Sequence, residues 1–184
     1  WLKVASGEIW HHLVLYAIER GWGGIENLAL IPGTVGASPM QNIGAYGAEA
    51  RQTIENVTFW HWKEKTLHTY NNRECEFGYR DSIFKHSLKE KVFITSLVYK
   101  LRKKPVYNTN YGSVEQELEK MGITELSAKA IAHAVMNIRT SKLPDPREIG
   151  NAGSFFKNPT IPKKQYDALH SQHNGIPSYA VSDS

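Results

Sequence analysis

Ser154 and Asn158 would share one face of the segment Gly153-Ser154-Phe155-Phe156-Lys157-Asn158-Pro159 if it runs extended, with Phe156 between them and Phe155 and Lys157 opposite. At about 3.3 Å per residue, the two polar side chains would stand roughly 13 Å apart. One face could then address two distant parts of a long ligand, with a hydroxyl able to pass a proton and an amide able to donate and accept. Read alone, the segment is more simply a buried strand with a polar edge.

Three further positions have chemistry to offer. Arg80, in Tyr79-Arg80-Asp81-Ser82, carries a planar two-pronged cation suited to a carboxylate. An arginine beside an aspartate is more often a surface ion pair of little energetic value. Lys142 lies just past the end of an expected helix, where the helix dipole favours a cation whatever its role. Tyr111, followed by Gly112, suits the tip of a mobile lid, although exposed tyrosines are common. The stretch from Ile31 to Gly47 holds four glycines and two prolines among small polar residues, so it cannot run as one helix or strand. Backbone N–H groups can approach a ligand closely there, which suits a phosphate or cofactor cradle. A string of surface turns is the plain alternative.

The order of residues is more specific than the composition. GIENLALIPGTVGASPMQNIGAYGAE closely resembles the flavin-binding core of the MurB family, the UDP-N-acetylenolpyruvoylglucosamine reductases of bacterial cell-wall synthesis. ECEFGYRDSIFK, RTSKLPDP and GNAGSFFKNP follow in the family's order. The resemblance implies an α+β fold in which a mixed sheet is layered with helices: a FAD-binding domain of the MurB and vanillyl-alcohol-oxidase-like type over residues 1–146, then the start of a substrate-binding domain over 147–184. It implies that NADPH reduces bound FAD, and that the flavin then passes hydride to the enolpyruvyl group of a nucleotide sugar. By the same resemblance Ser154 supplies the proton and Arg80 engages the enolpyruvyl carboxylate. Tyr111 and Asn158 serve the substrate's diphosphate, Lys142 the phosphates of the substrate or of the nicotinamide cofactor, and Ser38, Gln41, Asn42, Gly44 and Tyr46 line the flavin cradle. Leu30, Ile31 and Ile43 would be apolar walls or simply core. Hydride addition drives negative charge toward the carboxylate, and a fixed guanidinium stabilises that charge as it grows.

The family also carries an upstream loop for the flavin diphosphate and a downstream catalytic glutamate. Neither is visible here, so the sequence reads as an interior fragment, expected to be inactive alone. Two rivals stay open: an oxidase that binds FAD covalently, and a non-catalytic nucleotide-binding module. The first needs a histidine or cysteine beside the flavin, and residues 33–47 contain neither. Intact Ser154, Arg80 and Lys142 speak against the second.

Composition narrows the setting. A single cysteine, Cys75, excludes an intrachain disulfide, and the histidines lack metal-ligand spacing, so no metal is expected. No apolar run is long enough to span a bilayer and no signal peptide is visible; a cytoplasmic monomer without membrane or nucleic-acid partners is expected. The net charge of +4 is modest, and its densest patch, Lys100 with Arg102, Lys103 and Lys104, reads first as a solvated face.

The elements that must position these residues follow from periodicity. Residues 2–5 alternate like a short strand, and residues 7–21 read as a helix with Ile9, Leu13, Tyr16 and Ala17 on one face. Ile54–Trp62 should pair with Thr66–Tyr70 across the Lys63-Glu64-Lys65 turn. Lys91–Leu101 is apolar on both faces, which predicts a central strand covered on each side. Helices are expected over 113–121 and 127–140, the second burying Ala130, Ile131, Ala134, Val135 and Ile138. Leu143-Pro144-Asp145-Pro146 ends it. A strand over 153–158 and a helix over 163–170 complete the reading.

Overall fold

A computed structural model describes residues 1–111, 113–145, 148–150 and 156–181. In chain order the elements are β1 (Leu2–Ala5), α1 (Trp10–Glu19), β2 (Gly44–Ala45), β3 (Ala48–Glu49), β4 (Ile54–His61), β5 (Thr66–Asn71), β6 (Val92–Tyr99), α2 (Val114–Lys120), α3 (Ala128–Lys142) and α4 (Lys163–Gln172). They divide between two units, Trp1–Asn151 and Ala152–Ser184.

In the first unit four strands form a sheet in the order β1-β6-β4-β5. β-Branched and aromatic residues on both sides of a charged turn make β4 and β5 a hairpin, with Phe59 opposite His68 and His61 opposite Thr66. The class is α+β, as expected. The sheet is narrower in kind than the mixed one anticipated, because all three of its pairings run antiparallel. β4 folds straight back into β5, and β6 takes the other edge of β4 in the same direction as β5.

β6 is central, as its composition predicts, but it is not covered on each side. Thr58 pairs with Ser96 while Phe59 pairs with Ile94, which leaves Thr95 as a bulge. The Thr95 hydroxyl donates to Thr58 O at 3.1 Å. Across the bulge the alternation slips, so Ile94, Leu97 and Tyr99 all reach the core. Phe93 remains 55% exposed and lies 6.2 Å from the ring of Trp62, itself 56% exposed.

α1 buries Trp10, Leu13, Val14, Ala17 and Ile18. This corrects the expected stripe, since Ile9 and Tyr16 are exposed. Trp10 has a polar tip that must be satisfied inside, and its indole N–H donates to Leu28 O at 2.8 Å. Tyr16 instead stays at the surface beneath the Arg20 guanidinium, 3.5 Å from its ring centre. α3 buries the five residues expected of it, and its N-cap Ser127 accepts from Ala130 N at 3.0 Å. It packs against the 3-10 turn Glu26–Leu28, which faces the site. Extended backbone at Leu143 ends α3.

In the second unit α4 begins after Pro162, and Lys163 pairs with Asp167 at 3.0 Å. Gly153, Ser154 and Phe155 lie outside the described residues, and residues 156–158 are irregular. Among the described residues, no helix is long and apolar enough to cross a membrane.

Candidate functional site

Three tight turns meet in the first unit, two of them close in sequence and the other more than thirty residues on. The first joins β2 to β3: Tyr46 and Gly47 form a two-residue hairpin loop with φ of 47° and 75°. Positive φ at both central positions is the twist such hairpins need, and Gly47 supplies it without strain. Tyr46 does so at a cost, because L-residues with a bulky side chain rarely adopt it. The second turn is Gly78–Asp81, closed by Gly78 N to Asp81 O at 3.0 Å, with Arg80 at φ 53°. The third is the bend at Asn42, φ 45°, at the end of the glycine-rich stretch. Three non-glycine residues in the left-handed region within one site mark a backbone held by its surroundings.

Specific hydrogen bonds do the holding. Asn42 is fully buried; its Nδ2 donates to Gly78 O at 2.9 Å and its Oδ1 accepts from Arg51 N at 2.9 Å. The Ser82 hydroxyl donates to Met40 O at 2.7 Å, fastening the far side of the Arg80 turn. Arg80 Nη2 donates to the carbonyl of Gly44, and a Cβ on Gly44 would stand 2.5 Å from Arg80 Nη1. Glycine at 44 therefore gives the guanidinium its seat on β2. Lys85 Nζ donates to Arg80 O at 3.1 Å, and the Arg80 guanidinium lies 5.1 Å from the Tyr79 ring.

The segment after β6 closes the site. Asn108 Nδ2 donates to Gly47 O at 3.2 Å, and a Cβ on Gly47 would approach Asn108 Nδ2 to 2.8 Å and Tyr111 Cβ to 3.2 Å. Tyr111 thus packs on the β2–β3 turn. Asn27, in the 3-10 turn under α3, donates to Tyr46 O at 2.8 Å and Asn108 O at 2.9 Å.

The structure therefore brings together Asn42, Gly44, Tyr46, Arg80 and Tyr111. Gln41 is exposed beside them. Ser38 is buried and engaged: its hydroxyl donates to Val35 O at 2.7 Å and meets Tyr99 Oη at 2.8 Å. Ile43 belongs to the core, Ile31 packs partly against it, and Leu30 is exposed. Lys142 is the exposed last residue of α3, and Asn158 is exposed in the second unit. Ser154 lies outside the described residues.

Sequence reasoning missed Asn27, Asn108, His11 and Arg139. His11 Nδ1 accepts from the backbone N–H of Leu30 at 3.0 Å, pinning the start of the glycine-rich stretch where Leu30 has φ 58°. Burial lowers the His11 pKa from its ordinary value, and neighbouring His12 adds to the shift. Arg139, one turn before Lys142, has a buried Nε without a hydrogen-bond partner among the described residues. Burial raises the Tyr46 phenol pKa, and the Arg139 charge acts on it in the opposite sense. A buried cationic donor beside the cradle suits an electron-rich ligand atom. Only a composition cue, polar residues inside apolar elements, could have pointed to these four. Cys75 offers no reactive thiol: burial, and then the Glu74 carboxylate, push its pKa to about 12.

Residues 1–70 match a family described as FAD binding domain. Proteins named UDP-N-acetylenolpyruvoylglucosamine reductase align along the full chain. The one from Flavobacterium johnsoniae is 45% identical over 184 residues, covering 100% of this chain and 55% of the relative. The one from Amoebophilus asiaticus is 48% identical over 183 residues, covering 100% of this chain and 54% of the relative. This chain is similar to these reductases along its whole length. It spans about half the length of the curated relatives it matches. Among solved structures, that of UDP-N-acetylenolpyruvylglucosamine reductase (MurB) from Thermus caldophilus is 20% identical, with a TM-score of 0.49 over 78% of this chain and 69% of that one.

Proposed function

We propose that this chain is part of a UDP-N-acetylenolpyruvoylglucosamine reductase, which reduces the enolpyruvyl group of a UDP-sugar to give UDP-N-acetylmuramate for peptidoglycan synthesis. The observation that carries the reading is identity of 45–48% to proteins of that name along the whole chain. The site's chemistry agrees with it. FAD fits the cradle: residues 1–70 match a FAD binding domain family, and the orphaned Arg139 Nε, whose charge reaches Tyr46, suits an oxygen or nitrogen of the isoalloxazine or diphosphate. When bound, FAD supplies the hydride chemistry, taking electrons from NADPH and giving them to the double bond.

The chain's own residues bind, orient and move charge. Arg80, seated on Gly44 through one N–H, turns its remaining N–H groups to the substrate carboxylate and stabilises charge as it builds there. The Asn42 carboxamide is spent on Gly78 O and Arg51 N, so its part is to aim the Arg80 turn rather than to touch the flavin. Tyr111 covers the cradle turn and addresses the nucleotide diphosphate, Lys142 addresses phosphates of the substrate or of the nicotinamide cofactor, and for Asn158 its motif alone supports a part in substrate binding. Ser154 delivers the proton to the substrate carbon.

Stopped-flow kinetics on the protein that carries this chain test the reading. Ser154→Ala should leave flavin bleaching by NADPH intact and slow flavin reoxidation by the enolpyruvyl sugar by at least about 10²-fold. Unchanged reoxidation would remove Ser154 as the proton donor. A protein that neither holds FAD nor bleaches it would remove the reductase reading altogether.

A further inference from the structure

We infer that Asn27 is a positioning residue that locks the segment carrying Tyr111 to the turn of the flavin cradle; the inference rests on the reductase reading. Asn27 is 3% exposed, and its one carboxamide nitrogen uses both hydrogens on backbone carbonyls, Tyr46 O at 2.8 Å and Asn108 O at 2.9 Å. The two acceptors come from different parts of the chain: one from the β2–β3 loop, the other from the stretch between β6 and α2. A single planar group therefore sets the distance between them. Asn108 reinforces the bond from the opposite side by donating its own Nδ2 to Gly47 O at 3.2 Å.

Two features make this a device rather than ordinary packing. Tyr46 holds φ 47°, a conformation disfavoured for tyrosine, and Asn27 grips the carbonyl of that very residue. Without Asn27 the loop loses a bond that keeps it in the left-handed region. Gly47 in turn leaves the space that Asn108 and Tyr111 occupy, since a Cβ there would meet them at 2.8 and 3.2 Å. Tyr111 is thereby registered against the cradle through Asn108, Gly47 and Asn27, which gives it a fixed base beside the β2–β3 turn. The base of the 3-10 turn is itself fixed, because α3 packs against Glu26–Leu28.

Asn27→Asp tests this with almost no change of volume. A carboxylate cannot donate, and it opposes two carbonyl oxygens where donors stood. In the protein that carries this chain, the variant should raise KM for the nucleotide sugar about tenfold and change kcat less. The decisive readout is a double-mutant cycle with Tyr111→Ala: if Asn27 acts through Tyr111, the Tyr111 effect should shrink below about twofold in the Asn27→Asp background. Additive effects would overturn the inference. Should Asn27→Asp fail to fold, Asn108→Ala at the exposed side of the same clamp replaces it in the cycle, with the same expectation and the same overturning result. Amide exchange keeps the clamp testable even if the reductase reading fails. Exchange over 105–111 should accelerate at least tenfold in the variant while α1 stays protected; equal protection in variant and wild type would refute the clamp whatever the activity.

Discussion

The guanidinium of Arg80 donates to the carbonyl of Gly44, 36 residues earlier in the chain, and rests where a side chain at position 44 would lie. The pair fixes the cation to a two-stranded ribbon instead of leaving it on a free surface turn. Arg80→Lys replaces a fork by a single point donor, so the seat on Gly44 and the grip on a carboxylate compete for one ammonium. The expected result is a fall of about 10² to 10³ in kcat/KM for the enolpyruvyl sugar, roughly 3–4 kcal/mol, with folding intact. Gly44→Ala should imitate part of this loss, because its methyl would displace the guanidinium, and at 2.9 Å from Ala48 O it would also press on the β2–β3 backbone. Steady-state kinetics of both variants decide the matter; a mild Arg80→Lys would mean that the charge alone matters.

The bond from Leu30 N–H to His11 Nδ1 makes the glycine-rich stretch sensitive to acid. A histidine that accepts through Nδ1 must be unprotonated there, and burial lowers its pKa in the folded state. The unfolded chain then takes up the proton first as pH falls. Its contribution to stability is therefore full above the ordinary histidine pKa of 6.5 and is lost as pH drops from there through the lowered folded value. Thermal unfolding between pH 8 and pH 5 should show a falling midpoint. His11→Gln keeps an acceptor that does not titrate in this range and should flatten that slope. An equal slope in variant and wild type would assign the pH dependence elsewhere.

How much was legible beforehand differs between fold and site. The β4–β5 hairpin and the buried face of α3 follow from local pattern, because alternation and helical spacing report directly on which side meets the core. The face of α1 was misread because Tyr16 is apolar enough to fit the stripe yet is held outside by Arg20. The Thr95 bulge was invisible, since β6 pattern alone does not reveal where one strand slips past another. In the site, Arg80, Gly44 and Tyr111 were joined into one site only through resemblance, as nothing in their spacing announces that they meet. Asn27 offers only the faint cue of a polar residue among apolar ones: its partners lie 19 and 81 residues away, so its role cannot be read from sequence.

Ser38 and Tyr99 supply a test that separates support of the fold from contact with a ligand. The Ser38 hydroxyl has one hydrogen, which it gives to Val35 O, so Tyr99 must be the donor in the bond between their side chains. Tyr99 is fully buried, and burial raises its pKa, with the Ser38 bond only partly opposing; the phenol stays protonated and able to donate. Ser38→Ala strands that buried phenol and deprives Val35 O of a donor, at a cost of about 1–3 kcal/mol. Tyr99→Phe removes only one donor, while Ser38 keeps its bond to Val35, and should cost about 1 kcal/mol. The double variant should lose less than the sum of the two, which denaturant titrations of the four proteins will reveal. FAD affinity, measured on the same samples, should change little in Ser38→Ala, because the hydroxyl already has both its partners inside the fold. Loss of FAD with unaltered stability would instead make Ser38 a direct ligand of the cofactor.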